Sequence, residues 1–275
     1  MQNQMRAQLL SLGLTAPGLV NFASFKAMMQ ASETPEVSEP LEKYSPSFLP
    51  ANERRRTTAT IKLALKTAEE ALFSYQTTYP DADSQIPVLF VCKDGDTMIT
   101  ARMCQAVSEE EPMISPTQFH NSVHNAPAGY WMIGQENQAP ASAISVGENA
   151  IANGLLEAVL QSQSENKPVL MVIYDLPIDE SMPIKATEKS KLPFAFAMVL
   201  DANKFDEKLG LPIMNLSISP EADHIESVEQ NFYQGVPAAE AYSLLKAIAL
   251  YEPDKPLLEM SYPLNQNNFI KLFLS

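Results

Sequence analysis

The chain predicts an α/β fold, a mixed sheet with helices packed against it, and three observations carry that prediction. Short apolar runs of buried-strand type recur: "IPVLFVC" (Ile86 to Cys92), "PVLMVIY" (Pro168 to Tyr174) and "FAFAMVL" (Phe194 to Leu200). Between them, apolar residues fall three and four apart, the period of a helix with one covered face. With 275 residues, 45% of them hydrophobic, the chain can bury a large core. Strands alternating with helices place the helices on a sheet.

Taken in order, Ala7 to Leu14 is the first strand. The arginine before Leu9 to Leu14 faintly resembles a signal peptide, but Ser11 and Gly13 interrupt an apolar run too short for that role. Ser32 to Asn52, rich in Pro, Ser and Glu, reads as an extended surface loop. Ile61, Leu65, Ala68, Leu72 and Tyr75 share one helical face. The strand Ile86 to Cys92 precedes a helix marked by Ile99, Met103 and Ala106. "ASAISV" (Ala141 to Val146) is a strand that runs straight into a helix with Ile151, Leu155 and Ala158 on one side. "IMNLSI" (Ile213 to Ile218) is a further strand, Pro237 to Glu252 is helical, and "FIKLFLS" closes the chain as a strand. Met28, Met29, Met98 and Met103 are expected as core filler, and Asp94-Gly95-Asp96 as a turn.

The formal net charge is −14. Such a surface repels phosphate backbones and anionic lipid, which argues against nucleic acid and membrane surfaces as partners. No stretch approaches the ~20 apolar residues of a membrane span. The one basic run, Arg54-Arg55-Arg56, reads first as a solvated helix end and second as a contact for an acidic partner. Cys92 and Cys104 are the only cysteines and lack zinc-type spacing, which fits reduced thiols in the cytoplasm. No cofactor motif and no metal site is expected.

One segment concentrates unusual residues. "SPTQFHNSVHNAPAGYW", Ser115 to Trp131, holds two of the three histidines and the single tryptophan. His120 and His124 are four apart and would share a helix face as zinc ligands do, but no third ligand and no intervening glutamate accompany them. A structural or interface role is the better reading.

With "GLTAPGL", "LPANERRRTTATIKLALKTAEEAL" and "ASAISVGENAIANGLLEA", that segment gives four motifs in order, and through them the chain resembles the N-terminal half of a β-ketoacyl synthase. More narrowly it is similar to the short chain-length factors of aryl polyene biosynthesis. The resemblance covers about Leu10 to Ile218 and implies a thiolase-like fold whose C-terminal half is largely missing. Residues 1–218 are then a ketosynthase-like N-terminal half, and residues 219–275 an unmatched extension packing on the same domain.

In an active ketosynthase a cysteine nucleophile opens the helix after a tight turn, where the helix N-terminus favours thiolate. Aligning back from Glu157-Ala158 puts Glu148 in that slot. A carboxylate there is no substitute for an acyl-accepting thiolate. The family also carries two histidines in its C-terminal half, whereas here only His224 follows Glu148, and the chain has 9 glycines in all. The resemblance therefore implies a non-catalytic subunit. It would pair with a ketosynthase to extend a polyene held on an acyl carrier protein. Phe119, His120, His124, Asn125, Tyr130 and Trp131 would lie at the subunit interface or tunnel wall. Glu148 either simply favours the start of its helix or occupies a buried vestigial pocket. Two alternatives stay open: a small acid–base enzyme, a malonyl decarboxylase or hydrolase using Glu148 or His120, or a scaffold that binds carrier protein.

Overall fold

The computed structural model describes residues 5–38, 40–111, 113–182, 192–206, 210–220, 233, 235–253 and 259–275. In chain order the elements are β1 (Met5–Thr15), α1 (Phe22–Gln30), α2 (Ala51–Arg56), α3 (Ala59–Thr78), β2 (Val88–Val91), α4 (Thr97–Val107), α5 (Pro116–Asn121), α6 (Ala126–Gly134) and β3 (Ala141–Ile144). They continue with α7 (Ala150–Glu165), β4 (Val169–Asp175), β5 (Phe194–Asp201), β6 (Ile213–Ser219), α8 (Tyr242–Ala249), β7 (Glu259–Pro263) and β8 (Phe269–Leu274). Each predicted strand is present. The strand β7 was not anticipated, because "EMSYP" is short and ends in proline.

Among the described residues, eight strands form one sheet in the order β3-β2-β4-β5-β1-β6-β8-β7. β2 pairs in parallel with both β3 and β4, and the remaining pairings are antiparallel. The strands β4 and β5 are buried along their whole length, which explains why they read as unbroken apolar runs rather than as alternation. One face of the sheet carries Leu89, Val91, Met171, Ile173, Phe196 and Met198 against α7, α1 and α8. The other carries Phe90, Leu170, Val172, Ala195 and Ala197 against α3 and α6. Through β6, β8 and β7 the C-terminal residues extend this same sheet.

The helix α3 starts where the Thr58 hydroxyl accepts the Ile61 N–H at 3.2 Å. Its five expected apolar residues are all buried. It lies so close to β1 that a Cβ on Gly13 would stand 2.3 Å from the Thr67 carbonyl oxygen. One turn on, the Glu70 carboxylate accepts the Leu14 and Phe22 N–H groups at 3.0 and 2.7 Å, tying β1 and α1 to α3.

Several expectations are corrected. The segment from Ser32 to Asn52 is not purely a surface loop. Leu49 is buried, Phe48 stacks edge-on against Trp131 with ring centroids 5.6 Å apart, and α2 begins at Ala51. The stretch from Pro237 is helical in two pieces, a 3-10 segment Pro237–Ala241 and then α8, which ends at Ala249. Met98 is not core filler: it is 48% exposed, and of the α4 residues only Thr97 and Ile99 are buried. Asp96 in the expected turn accepts the Ile99 N–H at 3.0 Å and so caps α4. No helix among the described residues is long and apolar enough to cross a membrane.

Candidate functional site

The sheet delivers three parallel strand ends, those of β3, β2 and β4, to one place. β3 is the edge strand there, and the chain leaving it turns through Gly147 at φ +60°, a conformation that favours glycine. A single 3-10 turn, Gly147–Asn149, then leads into α7. Glu148 therefore stands at the start of a helix after a tight turn. Its side chain is 64% exposed, so the buried vestigial pocket is corrected, and the plain helix-start reading fits the geometry.

Glu148 pairs with Lys93, which follows β2 and is mostly covered. The Lys93 backbone is fixed on both sides. Its N–H donates to Asp175 Oδ1 at 2.9 Å, and its carbonyl accepts the Ser145 hydroxyl at 2.7 Å. The ammonium is held above its ordinary pKa by the Glu148 carboxylate, which outweighs the opposing effect of burial.

Asp175, the last residue of β4, is 3% exposed. Besides Lys93 it accepts the Ala238 N–H at 2.9 Å, and the Cys92 thiol lies 3.6 Å away. One carboxylate thus joins the ends of β2 and β4 to the 3-10 segment Pro237–Ala241. Burial pushes its pKa up to about 6, against the pull of the two N–H groups. Burial first, and then the Asp175 charge, pushes the Cys92 thiol well up. Cys92 is accordingly a protonated core thiol and no nucleophile. Glu240, in the same 3-10 segment, is pushed up to about 7 by burial and by the charges of Glu148 and Asp175.

The aromatic and histidine segment divides in two. Phe119 is 61% exposed, and His120 is exposed with its ring edge-on to Tyr130 at 6.2 Å. Asn125 is exposed at the start of α6 and makes no capping bond there. Tyr130 and Trp131, by contrast, are 2% and 1% exposed. The Tyr130 hydroxyl donates to Asn121 Oδ1 at 3.0 Å, and Asn121 Nδ2 donates to the Arg56 carbonyl at 2.7 Å. The expectation that Tyr130 and Trp131 face a partner is corrected: this chain's own Phe48 and α3 already cover them. α5 ends at Asn121, so His120 and His124 share no helix face. His124 Nε2 instead lies 2.9 Å from the Ile144 carbonyl at the end of β3, which requires Nε2 to carry the proton. Among the described residues no group of three His, Cys, Asp or Glu side chains is placed to hold a metal ion. His224 lies outside the described residues.

The basic run forms the last turn of α2. Arg54 donates to the Leu49 carbonyl at 3.1 Å, Arg56 pairs with Glu53 at 3.3 Å, and Arg55 is exposed. The sequence reading missed Lys93, Asp175, Glu240 and Phe48. A carboxylate directly after "PVLMVIY" was the one available signal, since a buried strand ends in charge only where that charge has partners.

The comparisons agree with this geometry. Residues 28–248 match the family described as "Beta-ketoacyl synthase, N-terminal domain". Among solved structures, a complex of the ketosynthase ApeO with its chain length factor ApeC from Xenorhabdus doucetiae matches at 20% identity and a TM-score of 0.68, over 98% of this chain and 99% of that one. The ishigamide ketosynthase/chain length factor matches at 11% identity and a TM-score of 0.66, over 98% of each chain. A ketosynthase from module 1 of the bacillaene synthase of Bacillus amyloliquefaciens FZB42 matches at 12% identity and a TM-score of 0.55, over 81% of this chain but 47% of that one. No curated protein sequence matches significantly. These likenesses establish the thiolase-like ketosynthase fold.

Proposed function

Because the family match spans residues 28–248, this chain belongs to the β-ketoacyl synthase family, and we propose that it is a non-catalytic, chain-length-factor-like subunit working with a separate ketosynthase. The observation that carries the reading is the helix start at α7. The residue there is Glu148, exposed and paired with Lys93, where acyl transfer needs a thiolate. The buried Cys92 supplies none, because its thiol is held protonated.

Two further features support it. This chain and chains of two ketosynthase/chain length factor structures match over nearly their whole lengths, whereas only 47% of the bacillaene ketosynthase chain is matched. And β3 is the edge strand of the sheet among the described residues, which leaves its outer side suited to pairing with another subunit. In this reading the partner ketosynthase extends an acyl chain on an acyl carrier protein. This subunit closes part of the tunnel, limiting chain length by side-chain volume. The product class in this reading is an aryl polyene, and two cysteines without a disulfide are in keeping with a cytoplasmic assembly.

The test is reconstitution. Ketosynthase, carrier protein and this chain together should yield full-length polyene, and omitting this chain should abolish or shorten the product. Intact-protein mass spectrometry should find acyl adducts on the ketosynthase only. An acyl adduct on this chain, or product formation indifferent to it, would overturn the proposal.

A further inference from the structure

A cavity of about 10 Å³ lies where the start of α3, the turn before α4 and the turn between α5 and α6 come together, with Tyr174 of β4 in its wall. That is room for one water molecule. The space has a backbone origin. Gly95 stands at φ +68°, and beyond its chain neighbours a Cβ placed there would meet only His124 Nδ1, at 3.6 Å. The side chain that Gly95 lacks thus leaves its place to the edge of the His124 ring.

Several polar groups around the cavity are already bonded. The Thr58 hydroxyl accepts the Ile61 N–H at 3.2 Å, and Asp96 Oδ1 accepts the Ile99 N–H at 3.0 Å. Asn121 accepts from the Tyr130 hydroxyl at 3.0 Å and donates to the Arg56 carbonyl at 2.7 Å. Thr60 and His124 supply the unbonded groups. Thr60 is only 5% exposed, yet its hydroxyl makes no hydrogen bond among the described residues. His124 Nε2 donates to the Ile144 carbonyl at 2.9 Å, so in the neutral ring Nδ1 is an acceptor, and it has no partner among the described residues. A covered hydroxyl left unpaired is unfavourable. One water can donate to Nδ1 and bond the Thr60 hydroxyl at the same time.

We infer that this cavity is a binding site for a single ordered water, held by the Thr60 hydroxyl and His124 Nδ1. The water links the first turn of α3 to the turn between α5 and α6. By donating to Nδ1 it selects the same tautomer that the Ile144 carbonyl selects at Nε2. One ring thereby ties α3, through the water, to the end of β3. The site belongs to this chain's own packing and does not depend on the function proposed above.

The experiment compares the full chain with Thr60→Val, which removes the hydroxyl and keeps the shape. A His124→Gln variant assigns the ring signals among the chain's three histidines. A crystal structure that resolves ordered water, of the full chain alone or with its ketosynthase, should show one water about 2.7–3.2 Å from both Thr60 Oγ1 and His124 Nδ1. Thr60→Val should lose that water and keep the bond from His124 to Ile144. In solution, nitrogen-15 shifts should report the Nε2–H tautomer of His124 with Nδ1 hydrogen-bonded, and Thr60→Val should move the Nδ1 signal toward that of a free acceptor. The sign of the stability change is a separate check. With a bound water, Thr60→Val removes a formed hydrogen bond and should lower the melting temperature by about 2 °C or more. With none, the same change removes an unpaired covered hydroxyl, and the melt should stay level or rise. A level or raised melt would overturn the inference. So would a dry cavity, a metal ion or a ketosynthase side chain in it, or the Nδ1–H tautomer. Each of these results leaves the proposed function standing.

Discussion

The Lys93 ammonium and the Glu148 carboxylate, fifty-five residues apart in sequence, meet across the ends of β2 and β3. The pair stands at the helix start where the resemblance places a nucleophile. Most of Glu148 faces solvent, and an exposed ion pair contributes little stability because water screens it.

Glu148→Gln should therefore leave assembly and polyene yield within about twofold of wild type, and shift subunit stability by about 1 kcal/mol or less. Yield from the reconstituted pair and a urea melt of the subunit are the checks. A loss of about a hundredfold with the complex still assembled is what a general acid or base would produce. That result would restore the acid–base enzyme reading. Glu148→Cys should acquire no acyl adduct from acyl carrier protein.

Trp131 is enclosed by its own subunit and stacks on Phe48. Trp131→Ala should destabilise the isolated chain by about 3–5 kcal/mol, through lost burial and the cavity left behind. Denaturation of the free subunit reads this directly. A variant that melts like wild type but no longer binds ketosynthase would return Trp131 to the interface.

Gly13 has no room for a side chain, because a Cβ would stand 2.3 Å from a backbone oxygen of α3. Gly13→Ala should cost about 3 kcal/mol or more, at or beyond the upper end for overpacking, since backbone rather than a flexible side-chain end must move. Soluble yield and the melting temperature test it. An unchanged melt would mean that α3 and β1 are further apart than described.

Three covered carboxylates make stability depend on pH. Burial pushes Asp175 up to about 6, and Glu70 and Glu240 up to about 7. Each folded pKa lies above its unfolded value, so the folded chain holds protons more tightly than the unfolded one. Stability should then fall as pH rises from about 4 through about 7. Melting temperature measured between about pH 5.5 and 8 should show that decline. Asp175→Asn should flatten part of it, whereas the repulsion among a net charge of −14 would persist in that variant. A melt that rises with pH over this range would contradict the assignment.

Much of the architecture was readable in advance. The runs around Phe90, Val172 and Phe196 announced buried strands, and Ile61 to Tyr75 announced α3, because burial along a regular element leaves a periodic trace. The motifs around Phe119 and Glu148 identified the family. The candidate site was legible only as a list of residues. Glu148 was placed correctly at a helix start, but its exposure and its partner Lys93 depend on how β2 and β3 end side by side.

By itself, then, the sequence determined the alternation of strands and helices, the family, and the glutamate at the helix start. Only the tertiary structure decided that Trp131 faces inward onto Phe48, that Asp175 joins two strand ends to the 3-10 segment at Pro237–Ala241, and that α4 stands half-covered. The physical reason is range. Periodicity reports which way a side chain points within its own element, whereas what it meets there is set by segments tens to scores of residues away, brought close by register and crossover.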